Sequence, residues 1–337
     1  MEIKYNIIPH AFIFVTTQCN LKCKYCQPGG ENYLKGNYTL NQQLTFNISK
    51  ILKELNISRI RLSGGEPTTV IWLGELMKHL NLLGFSKLRI STNGYFLHKY
   101  ISQLSNFRVH LSIDSLFNQK PSINTDKCLS YSQIHELSNF LHSNKIDTRI
   151  NTVVTKENIG EIKSIVEFCR MYNFGLKLLG LEYWNVFDKS YVQKNYVDWD
   201  ELSHTVFNGL KPIREMKAPG NIGIGMAEYV IAGTEIRVRF YDGWGAKYVK
   251  QCLECKYFPC SSGIYGLNIF ADNFVSLCRF RNIAGEWLDE SDDYMVLKEK
   301  IISVLNSLQV SNLISQNKIS TYGKSKFISA PKSVNRN

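Results

Sequence analysis

The chain has 337 residues, 44% of them hydrophobic, and a formal net charge of +11. That size holds one large α/β domain with an appendage, or two domains; the apolar content excludes a globally disordered chain, and the basic balance suits an acidic or phosphorylated partner. No apolar run is long enough to span a membrane, and Met1 to His10 lack the basic-then-apolar layout of a signal peptide, so a cytoplasmic protein with no membrane partner is expected.

His10–Thr17 is an apolar run leading into Cys19, and Leu44–Leu55 has helical spacing. Arg59–Ser63 reads as a short strand ending in Gly64-Gly65, and Ile71–Leu83 as a helix. Lys87–Thr92 is a strand followed by the turn pair Asn93-Gly94, and Arg108–Asp114 alternates as a strand. A helix over Gln133–Ser143, a strand over Thr148–Val154, a helix over Ile159–Tyr172 and a strand over Gly175–Leu181 complete the series. Strands alternating with helices imply βαβ units, parallel strands and right-handed crossovers. Six units fall short of a closed eight-stranded barrel, so the expected fold is α/β, a partial (β/α)6 TIM-type barrel over 1–181, with chemistry at the C-terminal strand ends.

Beyond Glu182 the rhythm breaks. Thr234–Tyr241 reads as a strand and Lys298–Leu308 as a terminal helix. A C-terminal extension is expected over 182–317, and a polar, basic tail over 318–337.

Seven of the nine cysteines fall into two clusters, which in a cytosolic chain reads as metal binding before disulfides. Cys128 and Cys169 stand alone and read as small buried hydrophobes. Cys19, Cys23 and Cys26 are spaced C-x3-C-x2-C on the loop after the first strand. Two short spacers let one loop wrap three corners of a [4Fe–4S] cubane and leave the fourth iron open to a ligand. A tetrahedral zinc site is the alternative, but three cysteines with no local fourth ligand fit it poorly.

This spacing, with Tyr25 before the third cysteine, resembles the radical S-adenosylmethionine (SAM) superfamily. Ser63-Gly64-Gly65-Glu66-Pro67 resembles the Gly-Gly-Glu-Pro motif of that family after its second strand. The resemblance implies that the unique iron binds the amino and carboxylate groups of SAM. It also implies that the backbone at Tyr25 meets the adenine, and that Gly64, Gly65 and Glu66 belong to the SAM site. Segments Ile60–Pro67, Ser91–Gly94, Leu111–Leu116 and Arg149–Val154 are similar to the GTP 3′,8-cyclase branch, over roughly residues 10–180. By that likeness Ser112 contacts SAM, and Arg61, Thr92 and Arg149 face the substrate.

The departures from that branch are specific. Phe12 and Gln18 stand where the cyclases carry basic residues, and Thr68-Thr69-Val70 where an arginine follows the Gly-Gly-Glu-Pro motif. The chain ends in Ser333-Val334-Asn335-Arg336-Asn337 rather than in paired glycines. A triphosphate is normally held by several cationic forks, so their loss argues against GTP cyclisation.

Cys252, Cys255, Cys260 and Cys278 form a second group, C-x2-C-x4-C-x17-C. Asn268–Leu277 reads as a hairpin turning at Ala271-Asp272-Asn273, with Asn273 where the related hairpins have glycine. Related enzymes with twitch or SPASM extensions place an auxiliary [4Fe–4S] cluster there, but Ser261–Ile269 lacks the arginines of the cyclases. Four ligands would make an electron relay and three an open iron; a four-cysteine zinc ribbon is the alternative.

The expected activity is therefore reductive cleavage of SAM to a 5′-deoxyadenosyl radical, fed by an external donor such as flavodoxin or ferredoxin. That radical would abstract hydrogen from a small molecule, nucleotide-like or phosphorylated. A ribosomal peptide, crosslinked or epimerised, is the alternative substrate. A non-enzymatic iron–sulfur or zinc protein that binds nucleic acid would account for the charge and cysteines, but not for Gly64-Gly65-Glu66-Pro67.

Overall fold

The computed structural model describes residues 10–27, 30, 34–117, 128–181, 188–216, 225–239, 247–248, 266–281, 285–307 and 314–315. Six strands, β1 (His10–Phe14), β2 (Arg59–Ser63), β3 (Lys87–Thr92), β4 (Phe107–Ser112), β5 (Thr148–Val154) and β6 (Gly175–Gly180), lie side by side in chain order. Every neighbouring pair among them is parallel. Helices α1 (Gln42–Glu54), α2 (Leu73–Leu82), α3 (Tyr131–Ser143) and α4 (Ile162–Met171) cross over between strands, and a run of 3₁₀ turns, Leu97–Asn106, does so between β3 and β4. Asn41 caps α1 through a 3.0 Å bond from the Leu44 amide, and Ser130 with Gln133 forms a capping box on α3.

The sheet does not close. Beyond residue 181 come α5 (Lys189–Asn195), α6 (Trp199–Leu202), β7 (Arg214–Met216), β8 (Met226–Ile231), β9 (Thr234–Arg239) and β10 (Lys247–Tyr248). They are followed by β11 (Leu267–Ile269), β12 (Phe274–Ser276), β13 (Gly285–Trp287), α7 (Tyr294–Asn306) and β14 (Ile314–Ser315). Strand β9 joins β6 in parallel, and β11 joins β1 in parallel. Among the described residues the result is one twelve-stranded sheet in the order β13-β12-β11-β1-β2-β3-β4-β5-β6-β9-β8-β7, with β10 and β14 paired apart from it. The expected hairpin is β11–β12: Asn273 has φ 67° at its turn, and Arg281 forks onto Asp272 at 2.6 and 2.7 Å. Helix α7 begins four residues before the expected start because Asp293 caps it, accepting from the Met295 and Val296 amides. Among the described residues no helix is long and apolar enough to cross a membrane.

The two faces of the barrel strands differ in chemistry. One face carries Ile60, Leu62, Leu88, Ile90, Val109, Leu111, Ile150, Leu176 and Leu178, buried in one core with Leu44, Ile48, Ile51, Leu76, Leu80, Leu141 and Ile165 of the helices. Each such side chain contributes about 1.5–3 kcal/mol on burial. Cys169 is fully buried in that core, while Cys128 is only half-buried. By the two-residue period of a strand, the opposite face presents Arg59 and Arg61, Arg89 and Ser91, His110 and Ser112, Arg149 and Asn151, and Lys177. Closed TIM barrels fill their interior with branched apolar residues; here that face is polar and cationic, which suits a ligand-binding lumen.

Candidate active site

The loop after β1 holds Cys19, Cys23 and Cys26 at the C-terminal end of the barrel. It is zipped to the turn after β2 by backbone bonds: Gly65 N–H donates to Thr16 O at 2.8 Å and Glu66 N–H to Gln18 O at 2.7 Å. Contact this close leaves no room for side chains. A Cβ on Gly65 would lie 2.2 Å from Gln18 O, and one on Gly64, at φ +149°, 2.4 Å from Thr16 O. The sequence alone assigned these glycines to ligand approach; the geometry shows that they first let two loops of the chain touch.

Glu66 is buried beneath this turn. Its Oε1 accepts from Thr68 N (3.0 Å), Thr68 Oγ1 (2.6 Å) and Thr92 Oγ1 (2.7 Å), and its Oε2 from Asn93 N (2.7 Å). Burial pushes its carboxyl up and these bonds pull it back. The hydroxyl of Thr92 also accepts from Gly94 N at 3.0 Å. Glu66 and Thr92 therefore shape the wall of the site with side chains committed to each other. Glu66→Gln would turn an amide N–H2 toward donors, at a cost of about 2 kcal/mol. The expected result is a Tm lower by several degrees in a thermal melt; an unchanged Tm would show that the carboxylate holds nothing.

A cavity of about 310 Å³ opens beside the loop, lined by the three cysteines, Tyr25, Gly64, Gly65, Glu66, Arg61, Thr92 and Ser112. All but one of the site residues expected from the first 181 positions thus share one space. The exception is Arg149. It is the second residue of β5, at the N-terminal end of the barrel, where it bonds to Glu235 and lines a separate cavity of about 540 Å³. Its place in the strand keeps it from the substrate side expected of it. Cys252, Cys255 and Cys260 lie outside the described residues. Cys278 is half-buried just after β12, its N–H donating to Ser276 Oγ at 3.1 Å.

Sequence reasoning missed one cation of the last barrel strand and two contributed by the sheet extensions. Lys177 of β6, Arg239 of β9 and Arg279 next to Cys278 line the same cavity as Arg61. Phe12, where related cyclases have arginine, supplies a ring with the Arg279 guanidinium 4.9 Å and that of Arg61 5.7 Å from its centroid. A cation thus stands beside Phe12 from the segment after β12, while Gln18 and Thr68-Thr69-Val70 remain without the basic residues of the cyclases. The strand period extends this positive field below the cavity. Burial, then Arg61, Lys177, Arg89 and Arg149, hold His110 well below its usual range, and burial with neighbouring arginines pushes Arg89 down to about 10.

The thiols suit an iron–sulfur centre. Burial first, then the neighbouring Cys26, Asp114 and Cys19, push the Cys23 thiol up, so ionising these groups together needs a positive partner. Three thiols from one loop line one cavity, which leaves a tetrahedral zinc one protein ligand short but can supply one thiolate to each of three corners of a multi-iron cluster.

Residues 13–169 match the family model "Radical SAM superfamily". The chain is 30% identical over 220 residues to a GTP 3′,8-cyclase of Helicobacter pylori, an alignment covering 61% of each chain. It is 34% identical over 170 residues to an S-adenosylmethionine-dependent nucleotide dehydratase of Flammeovirga pacifica, covering 46% of this chain and 57% of that one. The chain spans about half the length of the curated relatives it matches. In fold it resembles Streptococcus suis SuiB, with a TM-score of 0.60 at 15% identity over 89% of this chain and 66% of that one. The matched stretch opens in β1 and closes in α4, taking in the cysteine loop and the glycine turn zipped to it, and this part of the chain is a radical SAM domain.

Proposed function

We propose that this enzyme acts on an anionic small molecule, phosphorylated or nucleotide-like, bound where Arg61, Lys177, Arg239 and Arg279 face the SAM site. The observation that carries this reading is that four cations from four separate places in the chain line one cavity with the three thiols. The names of the two relatives above, a GTP cyclase and a nucleotide dehydratase, point to the same substrate class.

Cys19, Cys23 and Cys26 would hold a [4Fe–4S] cluster, and Gly64, Gly65 and Ser112 would border SAM. The cluster and SAM together supply a carbon-centred radical when both are bound. The residues of this chain bind and orient around that chemistry. The glycine turn fixes the cysteine loop, the cations place the anionic end of the substrate, and the apolar wall of Val153, Leu179 and Leu181 limits water. Cys252, Cys255, Cys260 and Cys278 would hold an auxiliary [4Fe–4S] cluster beside Arg279. A flavodoxin or ferredoxin would deliver the electron.

The test is an anaerobic assay of 5′-deoxyadenosine formation with dithionite, SAM and a panel of nucleosides and their mono-, di- and triphosphates, GTP included. The expected result is stimulation by a phosphorylated member and none by the bare nucleosides. It should be accompanied by a rise in Tm that shrinks with added salt. No stimulation and no Tm shift across the panel would reject the reading and leave a peptide substrate in its place.

A further inference from the structure

The cysteine loop is tied to the barrel at both ends. At its near end the glycine turn and Asn93, whose Nδ2 donates to Asn20 Oδ1 at 2.9 Å, hold it. At its far end the tie is a side-chain pair. Tyr25, between Cys23 and Cys26, donates its phenol to Asp114 Oδ2. Asp114 sits two residues past the end of β4 and is itself clamped. Its Oδ1 accepts from Val153 N of β5 at 2.8 Å, and its carbonyl accepts from Asn158 Nδ2 at 2.9 Å. Asn158 is fixed in turn by Val153 O at 2.8 Å and Thr155 N at 2.7 Å. The Tyr25 ring packs on the buried cluster of Leu181, Tyr191 and Val192.

We infer that Asp114 is a positioning residue: through the Tyr25 phenol it latches the far end of the cysteine loop, and so the place of Cys23 and Cys26, to the strand ends of β4 and β5. The inference rests on the reading of the three cysteines as cluster ligands. A phenylalanine would fill the same apolar niche, so the hydroxyl adds only the bond. A carboxylate on the cavity wall beside thiolates is unfavourable unless it is used, and here both oxygens are. Ser112 lies two residues before Asp114 and lines the same cavity, so the latch also sets the spacing between the thiols and that wall. The sequence reading gave a role only to the backbone at Tyr25; the geometry gives one to its side chain.

The test uses the reconstituted full chain and the variants Tyr25→Phe, Asp114→Asn and their double. The readouts are iron content, Tm, SAM affinity and the electron paramagnetic resonance spectrum of the reduced cluster with and without SAM. Tyr25→Phe should keep its iron and its Tm, bind SAM about tenfold more weakly, and show an altered SAM-induced spectral change. The double variant should be no worse than the worse single, because both remove one contact. Faster release of iron to a chelator supports the latch in the same way. Parental SAM affinity with a parental spectrum in Tyr25→Phe, or additive losses in the double, overturns it. Should Asp114→Asn fail to fold, Tyr25→Phe decides alone. A Cys19/Cys23/Cys26→Ala protein that keeps the SAM-induced spectral change would instead overturn the ligand reading beneath it.

Discussion

Gly65→Val should abolish SAM cleavage as completely as replacing Cys19, Cys23 and Cys26 together with alanine, and for the same reason: the cluster is lost. A Cβ at Gly65 meets Gln18 O at 2.2 Å, and Gln18 C and Thr17 O at 2.7 Å each. All three are backbone atoms, so no side chain can swing aside. Gln18 O is also the acceptor for Glu66 N at 2.7 Å, and its carbonyl belongs to the residue immediately before Cys19. Relieving the clash therefore breaks the zipper at the first cysteine. Reconstituted protein should fall from about eight irons to about four, if the second cluster is present, with no 5′-deoxyadenosine formed. Gly160→Ala is the matched control, because a Cβ there meets nothing within 4 Å. Full iron with lost SAM affinity would return the obstacle to the ligand, as the sequence alone implied. Full iron with parental cleavage would remove the turn from the site altogether.

Much of this is legible in the sequence. The strands of the barrel announce themselves by period-two alternation and by the turn residues that end them, and their order follows from the crossover rule. The cysteine loop and the glycine turn are local patterns on consecutive strand ends, so a linear reading brings them together. What stayed hidden depends on pairing between distant segments. Arg239 reaches the cavity only because β9 docks on β6, and Arg279 only because β11 docks on β1 and β12 carries the chain back. No local pattern encodes either step. The misplacement of Arg149 had a usable signal. It shares a face with Asn151 and Val153, but it is the second residue of its strand, and chemistry in these barrels belongs at the end where strands finish. Asp114 had one too, lying just past a strand end, but its link to Tyr25 spans 89 positions and is invisible in sequence.

Once a phosphorylated substrate is identified, replacing Arg279 by alanine should raise its KM by roughly 10- to 100-fold, the worth of one charged hydrogen bond of about 1.5–3 kcal/mol. Removing Arg61 as well should bring the loss to about a thousandfold, with less than full additivity, because both guanidinium groups stand over the ring of Phe12 and share its field. The effect should fall on KM more than on kcat, since a cation that grips the anionic end of the substrate holds it equally before and during hydrogen abstraction. Raising the salt concentration should weaken substrate binding by the parent more than by the double variant, which has less charge to screen. Arg149→Ala is the contrasting change. Its guanidinium pairs with Glu235 at the far end of the barrel and lines a different cavity, so its loss should lower Tm and leave KM unaltered. Steady-state kinetics at two salt concentrations with a thermal melt of each variant read all of these outcomes. Equal KM values in the parent and the Arg61/Arg279 variant would show that the cationic wall is not the substrate site. A KM raised by Arg149→Ala at unchanged Tm would mean that the substrate reaches through the lumen to the opposite end of the strands.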